Sequence, residues 1–188
     1  MSPRIDLHEL SYLADGTARQ RDALRVIREL RLWENLAAYT PALAGTVPLG
    51  IDVEDSDLDI ICQSDDLGDF ICDVTELASR IDGLFVEECE VLGVRTVIAS
   101  FRHEEWWIEL FAQPVPVPEQ YACLHLLVEA RLLEIGGKAA RDAIRELKRK
   151  GLRTEPAFAR YFGIAGDPYE DLARLAGASD EELRALVG

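Results

Sequence analysis

The sequence predicts an α/β chain of the α+β kind, in which helices lead into a sheet and further helices close the chain. Three observations predict it. Near the start, apolar positions recur at helical spacing, at Leu24, Ile27 and Leu30. Between residues 41 and 111 they fall instead into short runs separated by turn signals, as strands do. The stretch Pro114–Pro118 then sets three prolines in five residues, which ends the sheet. It is the best internal boundary, dividing a core over 1–117 from a helical portion over 118–188.

Taken in order, the first helix spans 17–30, with Thr17 as its N-cap. A shorter helix follows around 32–39. Residues 41–44 form a short strand ending at the Gly45-Thr46 turn, and 57–62 form the second strand. Residues 66–81 read as a helix, 84–91 and 94–102 as strands, and 105–111 as a strand after a tight turn at His103-Glu104. Helices near 118–135, 138–150, 155–162, 168–176 and 179–187 complete the chain. No internal repeat or low-complexity segment interrupts it.

Length and composition bound the class. The 188 residues suit one domain, or one with a small helical annex, and at 48% hydrophobic they can bury a sizeable core. No apolar run approaches the roughly 20 residues that span a membrane. Met1-Ser2-Pro3-Arg4 lacks the apolar core of a signal peptide. The cysteines at 62, 72, 89 and 123 show neither a Cys-x-x-Cys pair nor zinc-ligand spacing, and read as reduced core residues. A cytoplasmic protein is expected. The net charge of −15 is uneven. Residues 52–105 carry sixteen Asp or Glu against three Arg, whereas 138–160 are rich in Lys and Arg. The acidic body disfavours nonspecific polyanion binding and suits a cationic acceptor. The basic stretch reads either as a solvated helix face or as a contact for phosphates.

The chemistry concentrates in Gly45-Thr46-Val47-Pro48-Leu49-Gly50, followed by Ser56-Asp57-Leu58-Asp59. Asp59 leads into Ile60-Ile61-Cys62, so the two aspartates open an apolar strand. Side chains alternate along a strand. Asp57 and Asp59 therefore share a face, with Cα atoms roughly 6.5–7 Å apart. Paired carboxylates at that spacing suit one or two hard cations, and Mg²⁺ is commonly held by one or two carboxylates plus substrate phosphates. Gly45 allows backbone amides to approach phosphate oxygens, and Thr46 reads as the N-cap of a helical turn, a ready anion site. Gly50 is either a sharp return toward the aspartates or a plain turn glycine.

The run Gly45-Thr46-x-x-x-Gly50-x5-Ser56-Asp57-Leu58-Asp59 resembles the signature of the nucleotidyltransferase fold of DNA polymerase beta-like enzymes. The chain also looks like an uncharacterised bacterial branch of that fold. The cues are Gly-Thr-x-Pro-x-Gly-Ile-Asp, Ser-Asp-Leu-Asp-Ile-Ile-Cys, and Ile-Glu-x-Phe-x-Gln before a helix carrying Gln120, His125, Glu129 and Arg131. The resemblance implies a small mixed sheet flanked by helices, with 1–117 the catalytic core and 118–188 covering the cleft. It also implies a third carboxylate on a later strand. In 105–111, Trp107, Glu109 and Phe111 share a face, so Glu109 is the candidate. A charge among large apolar side chains is costly unless it is paired or coordinates a metal. Many family members carry Asp here, and the extra methylene of Glu moves the ligand oxygen.

On this reading Asp57, Asp59 and Glu109 hold Mg²⁺ or Mn²⁺, and Gly45, Thr46, Gly50 and Ser56 face the donor nucleoside triphosphate. His125, Arg131 and Lys138 are further candidates for contacting nucleotide, the last two by neutralising phosphate charge. His125 and Glu129, four residues apart, share a helix face; a lone histidine there reads equally as a satisfied core residue. Gln113 is a supporting candidate, and Asp52, Glu54 and Asp55 form a solvated loop or a hold for a cationic acceptor. The leading expectation is transfer of a nucleoside monophosphate to a hydroxyl of a small molecule, protein or RNA. The alternatives are pyrophosphoryl transfer to a nucleotide, and a nucleotide- or partner-binding module without turnover, such as half of a toxin–antitoxin pair.

Overall fold

In a computed structural model, residues 6–81 and 83–187 are described; the segment Met1–Arg4, read above for a leader, lies outside them. Helix α1 (Ala18–Glu29) begins at a full capping box, with the Thr17 hydroxyl taking the Gln20 amide and the Gln20 side chain taking the Thr17 amide. The same Gln20 donates to the Val47 carbonyl at 2.8 Å, so the cap also ties α1 to the turn after the first strand. The helix expected over 32–39 is one turn, α2 (Leu32–Asn35), followed by a 3-10 turn at Ala37–Tyr39.

Strand β1 (Ala42–Ala44) leads into α3 (Thr46–Leu49), a single turn. Thr46 does not cap it. Gly45 holds the cap position at φ 71°, ψ −151°, a region essentially reserved for glycine, and Thr46 is the first helical residue. Strand β2 (Leu58–Gln63) starts one residue later than expected, leaving Asp57 just before it. Helix α4 (Leu67–Leu77) is capped by the Asp66 carboxylate and ends in a 3-10 turn rather than running to 81. Strands β3 (Phe85–Val91), β4 (Val94–His103) and β5 (Trp106–Gln113) follow. The β4–β5 hairpin turns at Glu104-Glu105, one residue beyond the expected place, because Glu104 takes the left-handed conformation that a two-residue turn requires.

The five strands form one mixed sheet in the order β1-β2-β5-β4-β3, with β2 and β5 parallel and the other pairs antiparallel. Alternation then assigns the faces. Leu58, Ile60, Cys62, Ile108, Leu110 and Ala112 turn to the core that α1 and α4 cover, while Asp59, Ile61, Glu109 and Phe111 turn the other way. Strand β3 is the outer edge, and Glu87, Glu88 and Glu90 along it discourage pairing with another sheet.

The helical portion comprises α5 (Tyr121–Arg149), α6 (Thr154–Phe162), α7 (Pro168–Leu175) and α8 (Asp180–Val187). The two helices expected over 118–135 and 138–150 are one element broken at Gly137, whose φ of 61° and ψ of −152° interrupt the helix. These helices enclose a second hydrophobic cluster, which also takes in Leu49 and Ile51 from the turn after β1. All four cysteines are free, but only Cys62 and Cys123 are buried. Cys72 is exposed on α4 and Cys89 half-buried on the edge strand, so the core reading fails for those two. Among the described residues, no helix is long and apolar enough to cross a membrane.

Candidate active site

Register brings the carboxylates together. Asp59 pairs with Ala44 on one side and with Glu109 on the other, so three neighbouring strands meet at one level of the sheet. Gly45 follows Ala44 directly, and a β-carbon placed on it would come within 2.1 Å of Asp59 Oδ2. The turn therefore lies against the Asp59 carboxylate as closely as a backbone without a side chain permits. Asp57, just before β2, joins them at the edge of a cleft of about 650 Å³, lined also by Gly45, Thr46 and Ser56.

The electrostatics of this group are unbalanced. Burial and the nearby charges of Glu109 and Asp57 push the Asp59 carboxyl up to about 7. Burial raises Asp57 and Glu109 as well; Lys148 and Arg19 pull Asp57 partly back, and Asp57 adds to the rise at Glu109. Among the described residues, no hydrogen bond relieves any of the three. Clustered hard oxygen donors that Lys148 and Arg19 only partly offset fit a divalent ion such as Mg²⁺. A different trio is geometrically tighter: Glu29, His103 and Glu104 have ligand atoms within 4.8 Å of one another. Asp57, Asp59 and Glu109 do not converge that closely. The tighter trio is exposed, however, and Arg25 already occupies both of its carboxylates.

The remaining candidates sort by position. The Thr46 and Ser56 hydroxyls lie 3.2 Å apart and bond to each other, while Ser56 Oγ also accepts from the Val53 amide. Gly50, at φ 62°, ends α3 in the left-handed conformation and is not among the cleft-lining residues; of its two readings, the turn glycine is the one its place supports. His125 does line the cleft, but it is satisfied elsewhere and not by Glu129. Its Nε2 meets the Tyr169 carbonyl at 2.8 Å and its Nδ1 meets Glu155 at 3.3 Å. Arg131 does not reach the cleft. It grips Asp180 and the Ala178 carbonyl, fastening α8 to α5. Lys138 points to solvent and pairs with Asp142. Gln113 lines the cleft and donates to Thr96. Asp52 pairs with Arg19 rather than standing free in its loop.

Lys148, Arg153 and Glu155 line the cleft and escaped the sequence reading as site residues, while Glu129, read only beside His125, lines it too. Lys148 donates to Thr154 at 2.9 Å. Burial pulls its ammonium below the ordinary range, against the pull of Glu129, Glu155, Asp59 and Asp52. A signal for it exists in the sequence. Ala140 and Ile144 are fully buried, and Lys148 continues that stripe at four-residue spacing. Glu129 likewise sits between Leu126 and Leu133 on a buried stripe. A charge that interrupts an apolar stripe is the mark both share.

The chain belongs to the family described as a domain of unknown function, DUF4269, whose model matches residues 25–175. No curated protein matches it in sequence. Solved structures share its fold. Cid1, in a structure concerned with its RNA terminal uridylyl transferase activity, superposes with a TM-score of 0.53 at 10% identity over 88% of this chain and 53% of its own. A cytoplasmic RNA terminal U-transferase gives 0.51 at 10% identity, over 84% and 46%. The GLD-2/RNP-8 complex gives 0.50 at 12% identity, over 94% and 81%. The chain thus spans about half the length of the first two. The fold is the nucleotidyltransferase fold, as the motif led one to expect.

Proposed function

We propose that the protein is a divalent-metal-dependent nucleotidyltransferase, with residues 1–117 as its catalytic core and 118–188 closing the cleft. The observation that carries this reading is the trio Asp57, Asp59 and Glu109, only partly offset by nearby cations and set beside the Gly45 turn in a cleft walled by α5 and α6. The three carboxylates would hold Mg²⁺ or Mn²⁺, which when bound supplies charge neutralisation at the transferring phosphoryl group. The turn at Gly45 and Thr46 leaves room for a phosphate to approach backbone amides. Lys148 and Arg153, on the opposite wall, offer the cationic contacts first sought at Arg131 and Lys138. Glu109, raised by burial, is suited to accept the proton of an attacking hydroxyl once cations are in place. Donors of this class are bound by the fold's neighbours, since Cid1 has been captured with Mg and 3'-dATP. Four free cysteines fit a reducing, cytoplasmic setting.

The test is thermal stability with each of the four nucleoside triphosphates, with and without Mg²⁺, on the natural protein and on Asp57→Asn/Asp59→Asn. A ligand at 100 times its dissociation constant stabilises by roughly 2.7 kcal/mol. A metal-dependent shift that the double variant loses is expected; no shift with any triphosphate refutes the reading. The wide spacing of the trio favours a second reading, a nucleotide-binding module without turnover. Pyrophosphate release in the presence of acceptor decides between the two.

A further inference from the structure

The sheet holds two of the three carboxylates but not the third. Asp59 and Glu109 are partners in the β2–β5 ladder, which begins at Leu58, so Asp57 lies one residue outside it. Asp57 instead ends the loop Asp52-Val53-Glu54-Asp55-Ser56, where four carboxylates crowd the six residues 52–57. Like charges at that density push a loop open unless something holds it. Arg19, on the first turn of α1, is placed to do so. Its Nη2 donates to the Ser56 carbonyl at 2.8 Å, one peptide before Asp57. Its Nε is buried, has no hydrogen-bond partner among the described residues, and stands 3.4 Å from the Asp52 carboxylate. The guanidinium also lies 4.0 Å over the Trp106 ring. That ring is 1% exposed, and its Nε1 donates to Asp22 at 2.9 Å. The arginine is thus seated on a fixed aromatic plate and grips the loop at both ends. Within the loop, Ser56 Oγ accepts from the Val53 amide and the Thr46 hydroxyl, which ties it to the glycine turn. Gln20, the next residue of α1, holds that turn at the Val47 and Pro48 carbonyls, at 2.8 and 3.4 Å. Neither Arg19 nor Gln20 is among the cleft-lining residues.

Resting on the nucleotidyl-transfer reading above, we infer that Arg19 is a positioning residue of the metal site, fixing the backbone that carries Asp57 while touching neither ion nor nucleotide. Strand register sets Asp59 and Glu109, and α1 sets Asp57. The task suits arginine, because a planar fork meets a carbonyl and a carboxylate at once, whereas a lysine ammonium is a single point of charge. Charge alone predicts the opposite effect on metal binding. A guanidinium beside the loop repels an incoming cation, so its removal would tighten binding. Loss of positioning weakens binding instead. The sign of the change separates the two.

The test titrates the whole chain with Mn²⁺ at pH 8 and reads the free ion by electron paramagnetic resonance. The samples are the natural protein, Arg19→Met, Arg19→Lys and Asp57→Asn. Methionine keeps an apolar stem over Trp106 and removes the fork; lysine keeps the charge. Arg19→Met should raise the Mn²⁺ dissociation constant about tenfold, as loss of a group that orients a metal ligand commonly does. Arg19→Lys should raise it as well, though less, with its charge unchanged. Asp57→Asn should raise it at least as far as Arg19→Met. Urea unfolding in chelator sets a temperature at which every variant is folded, and a loss of stability alone leaves the affinity of the folded chain unmoved. Unchanged or tighter binding by Arg19→Met overturns the inference. So does Arg19→Lys binding as tightly as the natural protein, which would assign the hold to charge and not to the fork. If Arg19→Met does not fold, Arg19→Lys carries the test. The metal-dependent triphosphate melting shift of the natural protein separates the two levels. With Mn²⁺ binding and that shift intact, failure falls on Arg19 alone; without them, nucleotidyl transfer falls and the inference with it.

Discussion

Replacing Asp59 by Asn should stabilise the metal-free protein while destroying its site. Burial and the charges of Glu109 and Asp57 raise the Asp59 carboxyl from 3.8 to about 7. A carboxyl whose folded value is raised makes the folded chain bind more protons than the unfolded chain between those values. Stability is therefore lost as pH rises through that window. At 1.36 kcal/mol per unit, ionised Asp59 costs at most about 4 kcal/mol at pH 8 and under about 2 kcal/mol at pH 5. Asn keeps the shape and removes the charge. Urea unfolding in chelator should place Asp59→Asn about 2–4 kcal/mol above the natural protein at pH 8, with the gap roughly halved at pH 5. Mg²⁺ should then stabilise the natural protein and leave the variant unmoved. If Asp59→Asn is no more stable than the natural protein at pH 8 in chelator, the carboxylate is already compensated and the case for a cation weakens.

Gly45→Ala places a β-carbon 2.1 Å from Asp59 Oδ2 at φ 71°, whereas Gly93→Ala, at φ 80°, meets nothing within 4 Å. The carboxylate can rotate away, so both variants should lose only about 1–3 kcal/mol of backbone strain, but Gly45→Ala alone should lose the metal-dependent triphosphate shift. Removing Arg141 and Arg145 together by alanine leaves the Leu49 and Gly50 carbonyls without donors; urea unfolding should register a loss of about 2–4 kcal/mol. The exposed pair Lys138 and Lys150, replaced in the same way, should change stability by about 0.5 kcal/mol or less.

Much of this was legible because it is local. The capping box at Thr17, the strand faces around Asp59 and Glu109 and the glycine turn follow from spacings of two to four residues. What the sequence hid is non-local. That Asp59 stands beside Glu109, fifty residues on, was expected only through the resemblance, because parallel pairing of β2 and β5 sets it and no local pattern does. Arg131 and Lys138 looked like phosphate ligands because their charge was visible, while their partners Asp180 and Asp142 were not yet placed. Lys148 was passed over in a run of basic residues, where its position on the buried stripe of Ala140 and Ile144 was the distinguishing mark. His125 was tied to Glu129 by helical spacing, yet Glu155, from the next helix, claims it.

Two arginines of the basic block over 138–160 are bound inside the fold, by carbonyl oxygens and not by the acidic block. The acidic loop after β1 and the basic second half of α5 meet at α3, where Arg141 and Arg145 bind the last carbonyls of a turn whose own helix is too short to satisfy them. Leu49 and Ile51 of that same turn are buried among the C-terminal helices, not in the core under the sheet. The turn that approaches Asp59 is thus clamped from both sides, by Gln20 of α1 at the Val47 carbonyl and by α5 at Leu49 and Gly50. A backbone held so firmly against a carboxylate is ordered before any ligand arrives. The repulsion among the three carboxylates is held by that scaffold, and on the proposed reading a cation bound there would relieve it.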